Sequence, residues 1–143
     1  MNRTILILSA VAALTACGPQ SIVTDGTYKS STTAQLADAA MVIDLNSKKA
    51  SVTLPGASSA TELTLTAVPS ANWEKGCPTN FSSVAVETWT VSPDPTVLGN
   101  LSLTGVKILA GCGLDKADPD SVVLKGTGDP NSTQYLIEFK RQK

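Results

Sequence analysis

From Gly26 to the C-terminus, short runs of alternating apolar and polar residues are separated by turn chemistry, the pattern of strands with one buried and one wet face. Thr27 to Ser31, centred on Tyr28, is the first. Met41, Ile43 and Leu45 alternate with Val42 and Asp44; after Asn46-Ser47-Lys48-Lys49 the pattern resumes at Ala50, Val52 and Leu54. That spacing predicts a β-hairpin with lysines at its tip. Pro55 to Ser59 turns the chain, and Leu63, Leu65 and Ala67 then share a face opposite Thr64 and Thr66 until Pro69. Ala34 to Ala40 is the one plausible helical turn, though its weak β-propensity equally fits a loop. Ser70 to Asn80, with Trp73 and Cys77-Pro78, is the longest irregular connection, of the kind that is functional or stapled.

Two changes of parity follow. Val84 and Val86 share one face whereas Trp89 and Val91 continue on the other, and a similar slip at Gly105 separates Leu101 and Leu103 from Val106, Ile108 and Ala110. Both predict β-bulges, which bend strands where a sheet closes. An acidic loop over 115–120 precedes strands at Ser121 to Lys125 and at Tyr135, Ile137 and Phe139, joined through Gly126 to Thr133. This reading is all-β, with about eight antiparallel strands arranged as an up-and-down barrel or as a two-sheet sandwich; parallel pairing lacks crossover helices.

Gly26-Thr27-Tyr28 on the first strand and Arg141 after the last resemble the lipocalin pattern of Gly-x-Trp near the start and arginine near the end, with tyrosine in the tryptophan's place. The resemblance implies the barrel and a carrier of a small apolar ligand. Cys77, Trp89 and Cys112 have the order of an immunoglobulin core, but the second cysteine comes too soon and Ala110 stands where a tyrosine is expected. Immunoglobulin topology is rejected.

Ahead of the domain, Arg3 precedes the short apolar run Thr4 to Ala13, which ends in Leu14-Thr15-Ala16-Cys17. A basic start, an apolar centre and small residues at a cut site make a secretory signal, too short to span a bilayer. The last four residues resemble the lipobox of bacterial lipoproteins. The resemblance implies cleavage after Ala16, acylation of Cys17 (diacylglyceryl and palmitate-type chains) and stable membrane attachment by more than one chain. Gly18, where aspartate would resemble an inner-membrane retention mark, implies the outer membrane, facing the periplasm. The expected organisation is a signal peptide over 1–16, the lipidated cysteine and a short tether over 17–25, and one β domain over 26–143.

Cleavage would leave 127 of 143 residues, enough for one domain with a core, and ten basic against twelve acidic residues. No basic field for nucleic acid exists. With Cys17 assigned to lipid, Cys77 and Cys112 are the two remaining cysteines. In an exported protein they predict a disulfide, the alternative being two buried thiols.

The chain has no histidine. Triads, Cys-His pairs and ordinary zinc sites are thereby removed. A hydrolase using Ser-Lys or paired carboxylates needs none, but no motif here resembles one. Asp115, Asp118 and Asp120 could offer Ca²⁺ oxygen ligands, but a proline at 119 and the lack of a closing glutamate fit a solvated turn instead. No metal and no cofactor are expected. Gly111-Cys112-Gly113 and Gly126-Thr127-Gly128 open no helix and imply no phosphate cradle. Trp89, Tyr135 and Phe139 fall on strand positions as core residues, leaving Trp73 and Phe81 as the aromatic candidates for a contact surface. The expected function is a binding or envelope-structural module, whose partners are the membrane through its lipid and an envelope protein; the alternatives are the lipocalin-like carrier and the histidine-independent hydrolase.

Overall fold

The structure, a computed structural model, describes residues 24–30, 36–77, 85–114, 117–128 and 131–143. Its strands are β1 (Gly26–Ser30), β2 (Ala40–Asp44), β3 (Lys49–Thr53), β4 (Thr61–Ala67), β5 (Glu74–Lys75), β6 (Ala85–Val86), β7 (Thr88–Ser92), β8 (Thr96–Leu98), β9 (Leu101–Cys112), β10 (Ala117–Gly128) and β11 (Thr133–Arg141). Eight of them, β1-β2-β3-β4-β7-β9-β10-β11, pair antiparallel in that order. Pairing of β11 with β1 closes the ring. The fold is therefore the closed up-and-down barrel, lipocalin-like in its order, and not the sandwich.

Each wall strand keeps the period-two pattern because a slip of one residue would turn its apolar set outward. Tyr28, Met41, Ile43, Ala50, Val52, Leu63, Leu65, Val91, Ile137 and Phe139 point inward, and with their neighbours form one contiguous apolar cluster. Leu45 and Leu54 border it, whereas Ala67, expected beside Leu65, is exposed at the barrel end. The 36–39 segment is a turn, not a helix: Ala39 N–H donates to Leu36 O (3.3 Å), and Asp38 has φ 59°. Leu36 and Ala39 fold into the barrel, anchored by Ser30, whose hydroxyl donates to Leu36 O and accepts from Ala39 N–H.

The hairpin between β2 and β3 is present, its turn shaped by Asp44 Oδ1, which accepts from the amides of Asn46 (3.0 Å) and Ser47 (3.3 Å). The slip at Gly105 is a β-bulge. Register passes from Lys107 opposite Lys125 to Thr104 opposite Thr127, three steps on β9 against two on β10, with Gly105 at φ 59°. The slip near Trp89 is not a bulge: β6 lies in a separate two-stranded sheet with β5, and the chain returns to the wall only at Thr88.

Three further differences have local causes. β8 was not expected, since three residues between Pro95 and Gly99 carry almost no periodicity; it pairs with the start of β9 through a turn at Gly99 (φ 62°), and Leu98 is buried. β10 begins at Ala117, inside the expected acidic loop, and crosses an irregularity before Val122. It also continues to Gly128, past the expected end at Lys125. Gly126 and Gly128 point inward, where a Cβ would lie 3.2 Å from Leu103 Cβ and 2.5 Å from the Tyr135 ring. Apolar side chains of neighbouring strands fill that space, so strand continues where the glycines suggested a turn.

Truncating Phe139, fully buried in the cluster, to alanine should lower the unfolding free energy by about 3–5 kcal/mol. Val42→Thr, on the outer face of β2, should stay within about 0.5 kcal/mol; urea unfolding of both variants measures the contrast.

Candidate functional site

Two regions stand apart from the regular wall: an excursion over its outside, and the rim where the described chain begins. The excursion leaves β4 at Ala67, makes a 3-10 turn over Ser70–Asn72, runs through β5 to Cys77, and returns along β6. Leu109 and Val123 occupy outward positions of β9 and β10, yet are almost wholly buried, because the excursion covers them. With Cys77, Val86 and Cys112, and with Leu114 and Leu136 packed at the margin, they form a second apolar cluster outside the barrel. The Cys77–Cys112 disulfide closes it, spanning 5.5 Å between Cα atoms, well within bridging range.

Polar contacts hold the same excursion. Lys107 and Lys125 are direct cross-strand partners on the outer face of β9 and β10, an arrangement of like charges that destabilises a sheet. Glu74 spans them, accepting from Lys107 Nζ at Oε1 (2.8 Å) and from Lys125 Nζ at Oε2 (3.1 Å). The Lys107 hydrogen bond is the main cause holding the Glu74 carboxyl below the usual carboxylate range; partial burial opposes it, and Lys125 adds to the lowering. Thr88 Oγ1, fully enclosed, accepts from Glu74 N–H (2.9 Å) and donates to Val86 O (2.7 Å). Glu87 is buried beside it and accepts from Trp89 Nε1 (2.8 Å). None of Glu74, Glu87 or Thr88 was singled out in the sequence, since only the register of β9 against β10 and the fold-back of the excursion make them neighbours.

Trp73 is half-buried, and its Nε1 donates to Val68 O (2.8 Å), so part of its ring fixes the start of the excursion while part meets solvent. Phe81, its expected companion, and Cys17 lie outside the described residues. So does Asp115. Asp118 Oδ1 accepts from Asp120 N–H (2.9 Å) and its Oδ2 from Ser121 Oγ (3.0 Å), while Lys140 Nζ stands 4.0 Å away and Lys143 Nζ is 3.5 Å from Asp120. These contacts tie the irregular start of β10, a strand where a solvated turn was expected, to the end of β11. Among the described residues no group of three or more His, Cys, Asp or Glu is placed to hold a metal ion.

At the rim, the structure brings together the residues of the lipocalin resemblance. Tyr28, 2% exposed, is the cross-strand partner of Arg141. The Arg141 guanidinium lies across Gly26, where a Cβ would sit 3.3 Å from Nε, and Nη2 donates to Asp25 O (3.2 Å). Tyr28 Oη donates to Thr24 O (2.9 Å), and Asp25 Oδ1 accepts from Leu45 N–H (2.7 Å). The end of the barrel is thus fastened to the strand that starts it. In comparisons with protein-family models, curated proteins and solved structures, the chain matches none.

Two outcomes test the attachment of the excursion. Replacing Cys77 and Cys112 together by alanine should lower unfolding stability by roughly 2–4 kcal/mol under non-reducing conditions, read from denaturant midpoints, since the bridge closes a 35-residue separation. Because the folded Glu74 carboxyl titrates below its ordinary 4.5, its stabilisation is complete above that pH and is lost as pH falls through the lowered value. Glu74→Gln should therefore cost about 1 kcal/mol at pH 7, as expected for partly exposed ion pairs, and nothing once the wild-type carboxyl is protonated; urea midpoints against pH measure it.

Proposed function

We propose that this chain is a lipid-anchored module of a bacterial envelope, held by Cys17 at the periplasmic face of an outer membrane and acting through its outer surface. The observation that carries the surface reading is the barrel interior. An eight-stranded barrel is just wide enough either to be filled by its own side chains or to hold one small ligand. Here Tyr28, Met41, Leu63, Leu65, Ile108 and Phe139 from facing strands belong to a single contiguous cluster, and Leu36 folds into it from the connection between β1 and β2. Interior volume taken up in this way favours a module over a carrier.

The anchor reading rests on the lipobox-like Leu14-Thr15-Ala16-Cys17. It agrees with a disulfide at Cys77–Cys112, which an exported compartment permits. A stapled domain with a fastened first strand suits a role in which the fold stays rigid and the contact surface is external.

Native mass spectrometry of the domain from Gly18 onward, exported to the periplasm and purified gently, should give the bare polypeptide mass. A discrete added mass lost on denaturation would replace the module by a carrier of a small apolar ligand. Separately, Cys17→Ser should move the protein from the membrane fraction to the soluble periplasmic fraction; retention in the membrane would remove the lipid anchor.

A further inference from the structure

We infer that the barrel meets the bilayer end-on, through the rim formed by Asp25, the β2–β3 turn and the connection after β4, so that the opposite rim is displayed away from the membrane. This rests on the lipid-anchor reading and adds the orientation that reading lacks.

The first argument is length. Antiparallel alternation gathers at one rim the start of β1, the turn over 45–48, the connection at 68–73, the β9–β10 turn and the end of β11. Thr24 and Asp25 are fixed there by Tyr28, Leu45 and Arg141. Only residues 18–23 separate Thr24 from Cys17. Seven peptide steps reach at most about 25 Å when fully extended. The wall beside Asp25 is lower: β1 to β4 have five to seven residues, about 17–23 Å of strand, or about 13–18 Å along the axis at the usual tilt of barrel strands. For the opposite rim to touch the bilayer, the tether would have to double back along this wall and use most of its contour length, whereas the near rim lies directly at Thr24.

The second argument is surface chemistry. The near rim exposes Pro69 and Ala71 beside half-exposed Val68 and Trp73. Tryptophan with small apolar neighbours suits the headgroup level of a bilayer, where an indole can keep a polar contact while its ring leaves water. The Trp73 N–H is already satisfied by Val68 O, so seating the ring there leaves no donor unpaired. Acids at this rim are engaged: Asp25 and Asp44 accept backbone amides, and Asp118 and Asp120 face Lys140 and Lys143. Connections at the far rim, over 36–39, 54–60, 93–100 and 131–132, contain no lysine or arginine; Asp38 there faces Lys29 and Asp94 accepts Gly105 N–H, and Val97 is exposed without an aromatic neighbour in those connections. At the near rim Lys48, Lys140, Arg141 and Lys143 balance Asp25, Asp44, Asp118 and Asp120, so the contact is apolar and interfacial and does not need anionic lipid.

The test uses the full lipidated protein, in which an added cysteine is the one free thiol. Ser47→Cys at the near rim, Ala57→Cys at the far rim and Thr64→Cys on the exposed side wall each receive a fluorophore. The proteins are bound to phosphatidylcholine vesicles with and without nitroxide-headgroup lipid. Quenching should be at least threefold stronger at position 47 than at position 57, with position 64 between them, and should not change when anionic lipid is added. Equal quenching at all three positions, or the strongest at 57 or 64, overturns the end-on orientation while leaving the anchor intact. Failure of the unlabelled wild-type protein to float with vesicles overturns the anchor reading, and the orientation with it.

Discussion

The antiparallel pairing of β1 with β11 is the contact on which the rest of this structure depends. It removes the free edges that an eight-strand meander would otherwise expose to other chains. It also turns a curved sheet with one apolar face into an enclosed core. Tyr28 opposite Arg141 and Ser30 opposite Phe139 set the register of that seam, and Arg141 secures it from outside by reaching over Gly26 to Asp25 O. Glycine suits position 26 because its φ of 150° is one that side-chain-bearing residues rarely adopt. Closure and the fastening of the N-terminal segment are therefore one event.

A closed wall has an outside, and the excursion between β4 and β7 depends on how the wall is registered. Placing Lys107 directly opposite Lys125 creates a repulsion in the sheet that Glu74 relieves from the excursion. Placing Leu109 and Val123 outward creates an apolar patch that Val86 and the disulfide cover. Charge and apolar area thus act at the same place and in the same direction. Neither alone is large: half-exposed ion pairs contribute little, and a two-strand sheet such as β5–β6 is not independently stable. The covalent bridge between Cys77 and Cys112 keeps both in contact with the wall.

All eight wall strands were legible because alternation is a local property: Met41 and Ile43, Ala50 and Val52, Leu63 and Leu65, and Ile137 and Phe139 announce their inward face within a few residues. The bulge at Gly105 was legible for the same reason, as a break in that alternation. The parity change before Trp89 was misread, because a strand that bends and a chain that leaves one sheet for another look alike when only parity is visible. Gly126 and Gly128 misled in the opposite direction; glycine carries no hydropathy signal, and only the bulk of Leu103, Val106 and Tyr135 on the neighbouring strands explains why the strand continues. The site residues split similarly. Cysteine pairing followed from counting, whereas Glu74 and Thr88 acquire their roles from partners distant in sequence.

By itself, the sequence determined that the domain is all-β with inward and outward faces assigned along most of its strands, that histidine chemistry is absent, and that Cys77 and Cys112 were available to each other. These follow from residue identity and from a period of two, which need no knowledge of what lies across the sheet. The tertiary structure alone decided that the wall closes into a barrel and not a sandwich, that β5, Cys77 and β6 lie outside it, and that Thr24 and Asp25 are fastened to one rim. Those outcomes depend on which strand edge meets which, a matter of register and long-range pairing that no local pattern encodes.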